Sequence, residues 1–258
     1  MSLESIKYAK KIASAFNKGT LIAPLPIKFT KKSNEANKFK LECEKLITSP
    51  IIGFKAGGTG KPVLKKLGEK EPFYAAIFKK NLLKSNSSVK INKYTLGIEL
   101  EVFFKVKKKF FQNKKKITEK NISSIVSHMG SCIEIVGYRQ KKKGLTYLGD
   151  LISDFGANVK FLVGKSQKFK KIRFNNLSTT LYNEKSGQVA NGNTKSVYDS
   201  PLKSLIWLLN KIKKEKVDLK KDFLVFTGST VGVVPIQKAG LFKGEIKSLG
   251  SVNARVKN

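Results

Sequence analysis

The sequence predicts an α+β protein, with a smaller helical N-terminal lobe over residues 1–88 and a larger mixed-β core over residues 89–258. Apolar residues recur at helical spacing before residue 50 and at strand spacing after residue 89. The strands are unevenly spaced and no repeat is visible, which argues against a propeller or solenoid. Strand–helix alternation is not sustained, which argues against a doubly wound parallel sheet. With 40% hydrophobic residues and 17 Phe among 258 residues, the chain has enough apolar surface for a sizeable core.

Ile6, Ala9, Ala13 and Phe16 form one stripe of a helix that stops at Gly19, with Pro24 and Pro26 beyond. A second helix is predicted from Ser33, its stripe running through Ala36, Phe39, Cys43, Leu46 and Ile47 to a stop before Pro50. Ile51–Gly60 reads as a short strand entering a Gly-rich turn. Pro62–Leu67 reads as a helical turn, and Pro72–Phe78 as extended. The core strands are predicted at Leu96–Val106, Cys132–Tyr138, Ala157–Val163, Lys170–Phe174, Ser178–Asn183, Phe223–Thr227 and Gly244–Val256. Helices are predicted at Glu119–Ser127, Tyr147–Ser153 and Pro201–Lys213.

The net charge is +34, which invites a nucleic-acid partner, but its makeup argues against one. Arginine occurs only at Arg139, Arg173 and Arg255, and the planar guanidinium fork is what base and bidentate phosphate recognition favour. The lysines are scattered, with short runs at 107–109, 114–116 and 141–143 that read as loops or strand ends. No zinc-finger spacing, basic zipper or aromatic-flanked nucleic-acid motif is present, so no specific nucleic-acid partner is expected. The longest apolar stretches, such as Leu205–Leu209, fall far short of the roughly 18 residues of a membrane span. Met1-Ser-Leu-Glu-Ser-Ile-Lys has no apolar signal region, and Cys43 and Cys132 make no disulfide framework. A reduced, soluble, cytoplasmic protein with no membrane contact is the expectation.

Acidic residues are scarce, so their placement is informative. Glu99 and Glu101 stand two apart in Leu96-Gly-Ile-Glu-Leu-Glu-Val-Phe-Phe, which puts both on one strand face about 7 Å apart. Glu134 sits in a second apolar strand, Ser131-Cys-Ile-Glu-Ile-Val-Gly-Tyr-Arg. Three hard oxygen ligands on rigid strands suit Mg²⁺ or Mn²⁺. The alternative is that all three face solvent and pair with surplus lysines.

Gly53-Phe-Lys-Ala-Gly-Gly-Thr-Gly-Lys-Pro fails as a nucleotide-binding P-loop. Lys55 stands where the first Gly is needed, and Pro62 where Ser or Thr is needed. Lys55 is then either one more surface lysine or a charge delivered by a strand end. Thr227, Ser229 and Thr230 enter a Gly-flanked loop whose hydroxyls and amides suit a carboxylate. The single histidine, His128, is expected to cap a helix end before Gly130, and Cys132 to be packed core, so a serine or cysteine hydrolase is not expected.

Taken in order, these segments resemble the 2-keto-4-pentenoate hydratase family of the fumarylacetoacetate hydrolase superfamily, over nearly the whole chain. Ile22-Ala-Pro-Leu is similar to the family's N-terminal segment, and Gly53-Phe-Lys-Ala-Gly-Gly-Thr to its Lys-(Ile/Val)-Gly-x-Thr motif. The Glu99/Glu101 pair and the strand around Glu134 are similar to its metal-ligand strands. Asp150-Leu-Ile-Ser-Asp-Phe-Gly-Ala, the helix from Pro201, Thr227-Gly-Ser-Thr-Val-Gly-Val-Val-Pro and Gly250-Ser-Val resemble later family segments.

The resemblance implies a β roll or sandwich core with a smaller α/β lobe, assembled as a homo-oligomer. It implies Mg²⁺ or Mn²⁺ on Glu99, Glu101 and Glu134, with Lys55 as the catalytic cation and Ser229 and Thr230 holding a 2-keto acid's carboxylate. The implied activity is addition of water to a substrate such as 2-hydroxypenta-2,4-dienoate. A 4-oxalocrotonate-type decarboxylase, or a binding protein that has lost catalysis on the same fold, is the alternative. Three positions depart from the family. Phe73 stands where an acidic residue is common, Phe155 where Asn follows Asp, and Leu241 where Asp follows Ala-Gly.

Overall fold

The structure is a computed structural model that describes residues 2–112, 115–141 and 144–258. Lys114, Lys142 and Lys143 of the lysine runs lie outside the described residues. Helix α1 (Leu3–Lys18) starts where Ser2 Oγ accepts the Ser5 N–H and ends at Gly19. It is followed by α2 (Ser33–Lys45), β1 (Ile51–Gly57), α3 (Lys61–Lys66), β2 (Phe73–Phe78), β3 (Leu82–Lys84), β4 (Ser88–Lys90) and β5 (Thr95–Val106). Next come α4 (Ile122–Ile125), β6 (Val126–Gly137), α5 (Leu148–Ile152), β7 (Asn158–Val163), β8 (Gln167–Lys168), β9 (Ser178–Asn183) and β10 (Val189–Asn193). The chain closes with α6 (Pro201–Lys214), β11 (Phe223–Ser229), β12 (Gly240–Ile246) and β13 (Gly250–Lys257).

The main sheet runs β2-β1-β11-β5-β6-β7-β3, with β8 added to β6, and a second sheet runs β10-β9-β12-β13-β4. Strands β1 and β2, from the expected N-terminal lobe, are hydrogen-bonded into the main sheet through the parallel β1–β11 pairing. The sheet is mixed, since β3–β7 is also parallel and the other pairs are antiparallel. It is also rolled. β3 follows β2 directly in the chain yet lies at the opposite edge, and Asn158 Nδ2 crosses back to donate to the Ala76 carbonyl at 3.0 Å.

Alternation along β5 divides its side chains between two environments. Ile98, Leu100, Val102 and Phe104 face outward from the roll. There they join one apolar core with Phe242, Ile246 and Val252 of the second sheet and with Leu205, Leu208 and Leu209 of α6. The sheets approach closely: a methyl group at Gly244 would sit 2.5 Å from Leu100 Cδ1. The inner face of the roll carries Ile77, Phe103, Cys132, Phe161 and Phe226. The rings of Phe161 and Phe226 meet at 4.9 Å although β5 and β6 lie between their strands. Burying each such ring contributes on the order of 2–3 kcal/mol, and that cluster helps hold the roll closed.

Four local expectations change. Residues 170–174 form no strand; the short pairing there is β8 on β6. The expected strand Gly244–Val256 is a hairpin of β12 and β13, because residues 247–249 turn the chain back. The expected helix Glu119–Ser127 shrinks to α4, since β6 takes over at Val126. His128 accordingly lies inside β6, opposite Lys105 and Lys168, and caps no helix. The long antiparallel pairing with β5 gives residues 126–131 more hydrogen bonds and burial than another helical turn would. Among the described residues, no helix is long and apolar enough to cross a membrane.

Candidate metal centre

Strand alternation and register bring the three glutamates together. Glu99 and Glu134 are direct cross-strand partners on β5 and β6, and Glu101 lies two residues along on the same face. Carboxylate oxygens of all three lie within 4.8 Å of one another. Like charges directly opposite each other destabilise a sheet, and these point into the roll rather than into water. Glu101 and Glu134 are buried, while Glu99 is half-buried.

Lys55 comes from β1, three strands away from β6 in sheet order. Rolling of the sheet carries its Nζ to 2.8 Å from Glu134 Oε1, with both side chains almost wholly buried. Burial works against its charge, but Glu134, Glu99 and Glu101 together outweigh it and hold the ammonium above the ordinary lysine range. Three carboxylates still face one ammonium. Burial raises all three carboxyls, with neighbouring carboxylates adding to the shift at Glu101 and Glu134. Glu134 reaches about 7 and Glu101 lies well above its usual range.

One oxygen of the cluster, Glu134 Oε2, is buried without a hydrogen-bond partner among the described residues. An orphaned buried carboxylate oxygen beside two more hard oxygen donors, with two negative charges in excess, fits a divalent cation. Glu99, Glu101 and Glu134 are the residues that would hold it.

Strand β11 completes the site through a bulge after Phe226, a device that re-aims groups beside active sites. It turns the Gly228 N–H onto Glu101 Oε2 at 2.9 Å, with Gly228 at φ 110°. A side chain at 228 would strike Thr59, whose Oγ1 lies 2.1 Å from the position of a Cβ. The bulge is pinned from both sides. Thr227 Oγ1 donates to the Val102 carbonyl at 2.9 Å, and Ser204 Oγ of α6 donates to the Thr227 carbonyl at 2.7 Å.

A cavity of about 420 Å³ opens over Lys55, Glu99 and Glu101. Ser229 and Thr230 line it, but their protons are committed: Ser229 Oγ donates to Gly232 O and Thr230 Oγ1 to Leu100 O, both at 2.8 Å. As placed, they build the loop wall. Thr59 also lines the cavity, and its hydroxyl makes no hydrogen bond among the described residues. Sequence reasoning missed Thr59 as a site residue, although it closes the Gly-rich segment after Lys55. The amides of the 227–230 loop were expected to meet a ligand's carboxylate, whereas the Gly228 N–H is spent on Glu101 of the chain itself.

Behind Lys55 the chain turns through three consecutive left-handed residues, Phe155, Gly156 and Ala157. Gly156 allows the turn to lie against Lys55: a Cβ there would sit 2.9 Å from Lys55 Cε. Two of the three are not glycine, so the turn costs energy and needs an anchor. The buried Arg139–Asp154 pair supplies it. Arg139 Nη1 lies 2.8 Å from Asp154 Oδ1, the Arg139 N–H donates to Asp154 Oδ2 at 2.7 Å, and Nη2 donates to the Asn158 carbonyl.

No protein-family model matches the chain. A 2-keto-4-pentenoate hydratase from Burkholderia vietnamiensis is 23% identical over 207 residues, 79% of this chain and 77% of that protein. A "TodF product hydratase" from Pseudomonas putida is 23% identical over 206 residues, 79% of this chain and 75% of its own. Among solved structures, 4-oxalocrotonate decarboxylase from Pseudomonas putida G7, complexed with calcium and acetate, superposes with a TM-score of 0.84. It is 17% identical, and the match covers 98% of this chain and 97% of that one. The chain resembles the 2-keto-4-pentenoate hydratase family in sequence at low identity and shares the fold of 4-oxalocrotonate decarboxylase. The curated relatives are named as hydratases, which are lyase-class enzymes.

The three departures from that family sit in different places. Phe73 lines the cavity and presses on Gly57, where a Cβ would lie 2.3 Å from Phe73 Cζ. Phe155 points away from the cavity into the core, 4.5 Å from the Phe16 ring. Leu241 pairs with Arg255 in the second sheet, remote from the glutamates.

Proposed function

We propose that this chain is a divalent-metal-dependent hydro-lyase adding water to a short unsaturated 2-keto acid such as 2-hydroxypenta-2,4-dienoate. The observation that carries the reading is that Glu99, Glu101 and Lys55 floor one cavity, while the buried Glu134 completes the carboxylate cluster and pairs with Lys55. Mg²⁺ or Mn²⁺ on the three carboxylates would supply a Lewis acid for the substrate's carboxylate and C2 oxygen. Lys55 holds fixed positive charge where negative charge develops on that oxygen, in a setting that excludes most water. Thr59, with a free hydroxyl proton, is the donor best placed to orient the carboxylate; Ser229 and Thr230 shape the loop that encloses it.

Phe73 carries no proton, so this chain handles proton transfer without the acid common at that position. Tyr138 lines the cavity with its phenol pushed up to about 12 by burial, so it remains a donor at neutral pH.

The test is turnover of 2-hydroxypenta-2,4-dienoate by protein loaded with Mg²⁺ or Mn²⁺. Absorbance of the dienol should fall without release of CO₂, and Glu134→Gln should lose metal binding by a hundredfold or more together with turnover. Release of CO₂ from 4-oxalocrotonate, with no hydration, would replace the hydratase reading with the decarboxylase. No metal binding by isothermal calorimetry would end both.

A further inference from the structure

The proposed function concerns the floor of the cavity; its upper wall has a different chemistry. Val63, Leu96, Val136, Leu145, Leu151 and Val233 line it. In a chain with 52 basic residues, Lys55 is the one Lys or Arg among the described lining residues, and it is held by Glu134. Among the described residues, no second cation lines the wall for a second carboxylate. Val63, Leu96 and Val233 are moreover exposed at the rim, at 44%, 38% and 49%. Exposed aliphatic groups converging on a pocket mouth mark a surface that an apolar ligand covers.

The cavity is also larger than a five-carbon acid. At about 30 Å³ per water-sized group, 420 Å³ holds on the order of 14 such groups. A 2-hydroxypentadienoate has eight non-hydrogen atoms, so space remains for several more beside an ion. The lining continues past Glu134 to Val136 near the end of β6 and Tyr138 just beyond it. Val136 and Tyr138 follow Glu134 at two-residue steps, extending the wall by about 13 Å from the carboxylates.

We infer that the site takes 2-keto acids with an uncharged alkyl or aryl tail of several carbons, and discriminates against tails ending in a carboxylate. The tail lies on the wall formed by Val136, Leu151 and Val233. This rests on the reading of the floor as a metal-assisted 2-keto acid site, and the ligands below separate the two.

Binding of pyruvate, 2-oxooctanoate and 2-oxooctanedioate to the Mg²⁺-loaded protein is measured by isothermal calorimetry, which needs no turnover. Pyruvate tests the head group alone, and the other two differ only at the tail's end. Each buried methylene strengthens binding by about fourfold. 2-Oxooctanoate should therefore bind at least tenfold tighter than pyruvate, and the dicarboxylate at least tenfold weaker than 2-oxooctanoate. Val233→Arg, a change at the exposed rim, should narrow that last gap tenfold. Mg²⁺-dependent binding of all three with equal affinity, or tighter binding of the dicarboxylate, would overturn the tail assignment and leave the metal site standing. Absence of binding by any of them, with or without Mg²⁺, would overturn both.

Discussion

Two lysines of this lysine-rich chain are buried among the described residues, and they are held in opposite ways. Lys40 on α2 is fully buried. Its Nζ donates to the Tyr74 carbonyl at 2.7 Å, lies 3.8 Å above the Tyr74 ring and stands 3.9 Å from Glu44 Oε1. Glu44 in turn accepts the Ala76 N–H at 3.0 Å, so the helix is stitched to β2. Burial pulls Lys40 below the ordinary lysine range, with Glu44 only partly opposing. Lys55, equally buried, is held above that range by three carboxylates and borders a cavity. Burial alone does not distinguish a structural lysine from a functional one. What sets Lys55 apart is the number of opposing charges and the open space beside them.

Replacing each lysine with methionine should split the two cases. Lys55→Met should lower turnover about a hundredfold or more, equivalent to about 3 kcal/mol of lost transition-state stabilisation, while circular dichroism stays native. Near-normal turnover would make Lys55 a structural counter-ion like Lys40.

Lys40→Met should do the reverse. It leaves Glu44 buried without its cation, which costs about 2–3 kcal/mol and lowers the melting temperature by roughly 4–10 °C, with turnover per folded molecule unchanged. An exposed control, Lys220→Met, should change neither measurement, since surface charges contribute under about 1 kcal/mol. A Lys40→Met protein that melts like the parent would show that the pairing with Glu44 is neutral.

The smallest effect concerns pH. Burial, followed by the nearby Glu99, raises Glu134 from 4.5 to about 7 despite Lys55. Between those values the folded, metal-free protein keeps a proton that the unfolded chain has lost. This group's contribution to stability therefore falls as pH rises through that window. A bound divalent cation takes the proton's place, so the gain in melting temperature on adding Mg²⁺ should be several degrees larger at pH 8 than at pH 5.5. Equal gains would mean that the carboxylates are already ionised without the ion.

Much of the architecture was legible residue by residue. The stripe from Ile6 to Phe16 marked α1, and alternation from Leu96 to Val106 marked β5, because solvent and core impose periods of 3.6 and 2 on helices and strands. The same alternation placed Glu99 and Glu101 on one face, and the scarcity of acids made Glu134 conspicuous. The failures were local competitions. Val126 and Ser127 left the end of a predicted helix to start β6, paired with β5, and Gly244–Val256 hid a turn within a strand-like run.

The sequence by itself determined which residues share a strand face, and a resemblance to one family gathered Lys55 and the glutamates into one expected site. It had no means to say what lies across from them. Only the rolling of the main sheet brings β1 to β6, so that Lys55 meets Glu134 across two intervening strands. The bulge that aims the Gly228 amide at Glu101, and the Arg139–Asp154 anchor behind Lys55, are likewise tertiary. So is the division between Phe73, at the cavity, and Phe155, in the core. Strand periodicity is a property of neighbours in the chain. Curvature and closure depend on contacts between residues 79 positions apart, as Lys55 and Glu134 are, which no local pattern encodes.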